Sequence, residues 1–333
     1  MRSVLKALLP ELFVALLATT VQAATVLPTP QLFAPGTISG PQNDGAPTFL
    51  PDGKTLFFER SYAHRSVILE SQQSGTEWST PWVAAFSGPW SDQQPAVAPN
   101  GTYIVYTSSR RRSASTPNGK AVGYNHLWRV DRSAAGWSEP VELPNEVNIS
   151  DLIFKPSIAA NGDLYFMSAD SVGANGPNWR LYCAIKTATG YEQARPLPFS
   201  DGKSIDVDPF IAPDGSYLIF SSSGRRAPDD GHEHLFVVMR NGKGWGAILP
   251  LRYVGDDWGA DDGESQVSSD GQRLYFTSAR SAPVDRNETR QALLADIRKA
   301  EQWDNGNANV WWLPLPDLFE NNGVGVSRPR RQS

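Results

Sequence analysis

Cysteine is nearly absent from this chain. Cys183 is the only one among 333 residues, so no intramolecular disulfide forms, and neither a disulfide-stapled scaffold nor a cysteine-rich metal site is available. The four histidines show none of the paired spacing of a zinc hydrolase. An excess of either charge is missing too: 30 Lys and Arg stand against 35 Asp and Glu, a net charge of −5. That balance lacks the basic face a nucleic-acid binder presents. No phosphate loop, dinucleotide fingerprint or nucleophile elbow occurs. No segment reaches the ~20 apolar residues of a membrane span.

What is present begins with a leader-like N-terminus. Arg2 and Lys6 precede the apolar run Leu12 to Leu17, and Val21-Gln22-Ala23 supplies small residues for cleavage before Ala24. Residues 1–23 are therefore expected to be an export signal, residues 24–318 the folded domain and residues 319–333 a disordered polar tail. A periplasmic or secreted location follows, with no transmembrane span after signal removal. Cys183 lies in an alternating stretch, Arg180 to Ala184, and reads as a small core residue.

With 28 Gly and 26 Pro, turns are frequent and strands correspondingly short. Five segments repeat one plan: a short strand, an Asp/Asn-Gly turn and an apolar second strand. The turns are Asp52-Gly53, Asn100-Gly101, Asn161-Gly162, Asp214-Gly215 and Asp270-Gly271. The strands that follow carry Leu56-Phe57-Phe58, Ile104-Val105-Tyr106, Leu164-Tyr165-Phe166, Leu218-Ile219-Phe220 and Leu274-Tyr275-Phe276. Each glycine supplies the positive φ of a tight hairpin. A third strand follows each segment. A fourth follows Trp78, Trp137, Tyr191 and Trp245, where the Trp residues read as packing between repeats. Four strands at a period of roughly 50–60 residues describe a propeller blade.

Pro-Asp-Gly, then an apolar-x-Phe-x-Ser strand, then a polar residue before an aliphatic-aromatic pair resembles the TolB-like, WD40-like propeller repeat. The resemblance covers most of residues 25–315, with Asn100 and Asn161 replacing the Asp. It implies an all-β, five-bladed β-propeller of four-stranded antiparallel blades, and by itself no single activity. The fifth repeat lacks a fourth strand, and Gln31 to Pro35 matches the fourth strand of the second repeat. The N-terminal segment is therefore expected to close the ring inside the last blade.

Long insertions at Arg110 to Asn125, Ala169 to Trp179, Gly224 to Glu233 and Ala279 to Ala308 all fall on one rim, the expected functional face. The last carries Leu293, Leu294, Ile297 and Ala300 at helical spacing. Asp44, Asp92, Asp206 and Asp262 stand at equivalent positions before the first strands, with Asp208 and Glu264 close behind; the third repeat breaks the series with Ile153. Crowded carboxylates favour a bound cation or polar ligand, or raised pKa values, unless each one caps its own turn. A divalent cation at the channel mouth is the one cofactor such a ring would take; no metal-site spacing occurs and no other cofactor is expected. Arg110, Arg111, Arg112, Arg225, Arg226 and Arg280 stand on the same rim, either pairing with the aspartates or receiving an anionic ligand. His126 and His234 open equivalent third strands. Trp179, Trp258 and Trp303 fall outside the repeat and are candidates for ligand stacking.

Two functions fit this pattern. The first is an envelope binding or scaffold protein whose rim, with Asp206, Asp262, His126, His234, Arg110, Arg280, Trp179 and Trp258, takes a protein, peptide or saccharide. The second is a carbohydrate-active enzyme, a glycoside hydrolase or polysaccharide lyase, with Asp44, Asp92, Asp208 and Glu264 as catalytic candidates. The sequence leaves open whether the chain is catalytic.

Overall fold

The computed structural model describes residues 26–63, 65–110, 125–173, 176–226, 228–281 and 289–325, with the side chains of 170–173 outside the description. The expected signal, residues 1–23, and Arg111 and Arg112 lie outside the described residues.

Three consecutive apolar residues on each second strand need two buried faces, because side chains alternate across a strand. The ring supplies both. Leu56 and Phe58 pack toward blade 5 while Phe57 packs toward blade 2. Ile104 and Tyr106 face blade 1 while Val105 faces blade 3. The same alternation runs round the molecule, so the hydrophobic interior is five clusters, one at each interface between neighbouring blades. Trp78, Trp137 and Trp245 pack in three of them, edge-on to Phe33, Phe57 and Phe199.

The chain is a five-bladed β-propeller of antiparallel blades. The innermost strands are Asn43–Phe49, Asp92–Val97, Ile153–Ile158, Ile205–Ile211 and Asp262–Val267. Each pairs with the second strand of its blade across an Asx turn; in the first, the Lys54 amide donates to Asp52 Oδ1 at 2.8 Å. The last blade takes its outer strand from the other end of the chain. Gln31–Leu32 pairs antiparallel with Trp311 and Trp312, and Phe33 lies edge-on to Tyr275 and Phe49.

Two features differ from the sequence expectation. In blade 3 the expected loop between the second and third strands is a longer hairpin, with Ala169 paired to Trp179 and Gly173 to Gly176. Residues 319–325, expected in the tail, are folded, because helix α2 (Leu315–Asn321) buries Leu315, Leu318 and Phe319, and Val324 joins the same cluster. The apolar spacing Leu315, Leu318, Phe319 carries that helix, and Pro at its first turn fits. The blade-5 insertion does form a helix, α1 (Arg290–Ala300), capped by Thr289, but Leu293, Leu294 and Ile297 on its apolar side are exposed. Among the described residues, no helix is long and apolar enough to cross a membrane.

Candidate functional site

The four rim aspartates are each held by an arginine from the end of the neighbouring strand. Arg60 Nε donates to Asp44 at 2.6 Å, and Arg110 Nη2 contacts both oxygens of Asp92 at 3.1 and 3.2 Å. Arg225 meets Asp206 through Nε and Nη2 at 2.7 and 2.6 Å, and Arg280 Nη2 reaches Asp262 at 2.6 and 2.8 Å. The same guanidiniums donate to carbonyls of the incoming loop, Arg110 to Phe86, Arg225 to Phe199 and Arg280 to Val254. Hydroxyls complete the shells: Ser108 on Asp92, Ser222 on Asp206 and Tyr253 on Asp262. The aspartates are buried, so these ionic clamps pin each loop root to its blade. Ile153 of blade 3 has no such partner to offer.

A second ring lies on the inner strands. Each has a bulge whose residue takes a left-handed backbone, at Ala46, Gln94, Lys155, Asp208 and Glu264, with φ between 46° and 54°. Five non-glycine residues in that region are a strain repeated at one position, and hydrogen bonds offset it. Asp208 Oδ2 accepts from the Glu264 amide at 3.0 Å, and Glu264 Oε2 accepts from the Ala46 amide at 2.8 Å. Gln94 Oε1 accepts from the Lys155 amide at 2.9 Å. Ala46 has no acceptor, and Glu59 on the second strand replaces it, accepting from the Gln94 amide at 3.2 Å. A belt therefore runs in one direction, each blade accepting from the next. It lapses between blades 3 and 4, where Lys155 carries no acceptor and its ammonium reaches the Ser265 carbonyl at 3.5 Å.

Two glycines make room for the belt. A Cβ on Gly45 would stand 2.5 Å from Glu264 Oε2, and one on Gly263 would collide with Asp208 Oδ2.

This crowding perturbs the acids. Burial, then the nearby Glu264 charge, pushes the carboxyls of Glu59 and Asp208 up to about 7. Glu233 rises to about 8, through burial and then repulsion from Asp208, Asp261 and Glu264. Burial lowers Lys155, against the attraction of Glu264, Asp208 and Glu59. Lys155 and Asp208 are buried, whereas Glu59, Glu233 and Glu264 keep partial exposure. Burial also pushes the Cys183 thiol up to about 12, which removes it as a nucleophile.

Of the four expected catalytic carboxylates, the structure brings Asp208 and Glu264 together, while Asp44 and Asp92 are engaged by Arg60 and Arg110. His126 sits between Glu142 at 2.6 Å and Asp151 at 3.2 Å. His234 lies between Asp230 at 2.8 Å and Arg226 at 3.1 Å. Trp179 packs edge-on to Phe154 and Trp303 to Trp311. Trp258 is exposed, its ring held over Gly255. Among the described residues, no three His, Cys, Asp or Glu side chains are gathered as a metal ion would require. Sequence reasoning missed Glu59, Gln94, Lys155 and Glu233. Gln94 and Lys155 had a signal in part, since they precede the Pro of the repeat where Asp208 does; Glu59 lies on a second strand and Glu233 just before a third strand, outside that alignment.

No family profile and no curated protein matches the chain. Solved structures similar in fold include TolB β-propeller proteins. A putative TolB from Agrobacterium tumefaciens is 15% identical over 74% of this chain and 73% of that one, with a TM-score of 0.47. TolB from Acinetobacter baumannii is 14% identical over 82% of this chain, with a TM-score of 0.44, and the match spans 54% of that protein. The α-L-arabinofuranosidase of Podospora anserina, solved in complex with cellotriose, is 13% identical over 87% of this chain and 96% of that one, with a TM-score of 0.51. At these identities the likeness is one of fold.

Proposed function

We propose that this chain is an exported binding propeller of the cell envelope whose long-loop rim recognises a protein, a peptide or a saccharide. The observation that supports it is the use already made of the acidic groups. The oxygens of Asp92, Asp206 and Asp262 are taken by arginines and hydroxyls, and Asp208 and Glu264 accept from amides of the next blade. A carboxylate whose lone pairs hold the scaffold is poorly placed to move a proton on a substrate. The same bonds fix the loop roots, the preorganisation a binding surface needs.

The test is binding of immobilised full chain to a panel of polysaccharides, cell-wall fragments and envelope peptides. Trp258→Ala on the rim is expected to abolish the signal, while Asp52→Asn and Asp214→Asn in the opposite hairpins leave it intact. Loss in the hairpin variants with retention in Trp258→Ala assigns the wrong face.

One observation favours a second reading, glycoside hydrolysis. Glu233 keeps partial exposure, is raised to about 8, and carries no side-chain hydrogen bond among the described residues, as a general acid would. Reducing-sugar release that is lost in Glu233→Gln, in a variant of unchanged Tm, would replace the binding reading with this one.

A further inference from the structure

Blade 4 carries a groove of about 500 Å³ on the long-loop rim, within the range of small-molecule sites. Its cationic wall is Lys203, Arg225, Arg226 and Arg252, against the single acid Asp201. Its apolar wall is Phe236, Ile248 and Pro250, from the third and outer strands. Phe236 pairs with Pro250 across these strands, so this wall is part of the sheet and rigid.

The cations are only partly spent. Arg225 uses Nε and Nη2 on Asp206 and Phe199. Arg226 uses Nη1 on the Asp256 carbonyl, at 2.7 Å, and on His234. Arg252 uses Nη1 on Asp256 at 3.2 Å. Among the described residues, Arg225 Nη1 and the Nη2 groups of Arg226 and Arg252 have no protein acceptor, and the Lys203 ammonium bonds only to Asp201. These bonds also immobilise the two inner arginines, 16% and 18% exposed at the side chain, so little side-chain entropy is lost when an anion arrives.

We propose that this groove binds a small organic oxyanion, a carboxylate or phosphate head carried on a flat apolar body. The head meets the arginine donors and the body lies against Ile248 and Pro250. The inference deepens the rim-binding reading and rests on it for the choice of face, giving that face a ligand class. It makes no use of the channel carboxylates.

The test is calorimetric titration of the full chain with phenyl phosphate, phenylacetate, inorganic phosphate and neutral 2-phenylethanol. Probes of this size are expected to bind with Kd of order ~1 mM or tighter. Phenyl phosphate and phenylacetate should exceed inorganic phosphate, and the alcohol should give no saturable heat. The ratio of the first two names the preferred head. Lys203→Ala with Arg252→Ala removes the two exposed cations and leaves Arg225 on its clamp, and should weaken binding about tenfold or more with Tm unchanged. Ile248→Gln should erase the advantage of phenyl phosphate over inorganic phosphate. Arg132→Ala, a cation over Trp137 in blade 2, should change nothing. The proposal is overturned if no anion binds saturably, if the alcohol binds as well as the anions, or if the double variant binds as the parent does. If a saccharide or peptide is captured by the rim while these anions are not bound, this inference alone fails. If the anions bind and Trp258→Ala captures the panel ligand normally, the groove stands and the Trp258 rim reading falls.

Discussion

At the scale of single residues, the decisive contrast is between charges that are buried with partners and charges at the surface. Asp262 and Arg280 are both almost completely buried, and removing one leaves the other unpaired. Arg280→Met is therefore expected to destabilise the chain by about 3–5 kcal/mol, whereas Lys203→Met, which breaks an exposed pair with Asp201, should be near neutral. Urea denaturation of the two variants checks this, and equal effects would remove the clamps as structural devices. The belt glycines allow a steric test. Gly263→Ala should cost about 1–3 kcal/mol by overpacking against Asp208, while Gly190→Ala, which meets open space, should be near neutral. Both partners of three clamps are legible in the sequence, Asp92 with Arg110, Asp206 with Arg225 and Asp262 with Arg280, because they recur at repeat positions, whereas Arg60, the partner of Asp44, escapes the sequence reading. Their pairing is one of two roles the sequence allows, since the repulsion expected among the aspartates depends on whether an arginine stands between them. Glu59 and Glu233 were not legible: a lone acid on a second strand or just before a third one carries no period, and only the closed ring brings it to Glu264.

At the scale of elements, ring closure rests on a two-residue strand and the aromatic residue after it. Phe33 is buried among Phe49, Trp78 and Tyr275, so Phe33→Ala is expected to lower stability by about 3–5 kcal/mol. A chain starting at residue 45 loses the strand and Asp44 together, and its thermal unfolding should be broad and early. Sharp unfolding at the parent temperature would show that the closure is dispensable. This closure was readable because Gln31 to Pro35 repeats the outer strand of blade 2, a local pattern that survives separation along the chain. Helix α2 was not, since after Pro314 the sequence has polar residues at most positions and only Leu315, Leu318 and Phe319 betray a buried face. The blade-3 hairpin has the sequence of a loop, because Ala169 to Trp179 is rich in Gly, Asn and Ser, whose turn preference is overridden when two strands can continue pairing.

At the scale of the whole molecule, the channel acids tie stability to pH. Glu59 and Glu233 rise from 4.5 to about 7 and 8, and Asp208 from 3.8 to about 7. A carboxyl raised in the folded state binds its proton more tightly there than in the unfolded chain, so its contribution is fully present below about pH 4 and is lost as pH rises through 7 to 8. Tm should therefore fall by some degrees between about pH 5 and pH 8, and Glu59→Gln should flatten that slope. A Tm that rises over this range in the parent, or an unchanged slope in the variant, would contradict it.

The joint between Leu32 and Trp311 also sets a timetable. At roughly 5–20 residues per second of synthesis, the two partners emerge about 15–60 s apart. Four blades can assemble in order as they appear, but the fifth waits for its third strand, Asn309–Pro314. For that interval Phe33 has its blade-1 neighbours Phe49 and Trp78 but lacks Tyr275 and Val310, so the newborn ring is an open arc. Its vulnerability to aggregation or to a protease is greatest just before Asn309–Pro314 emerges.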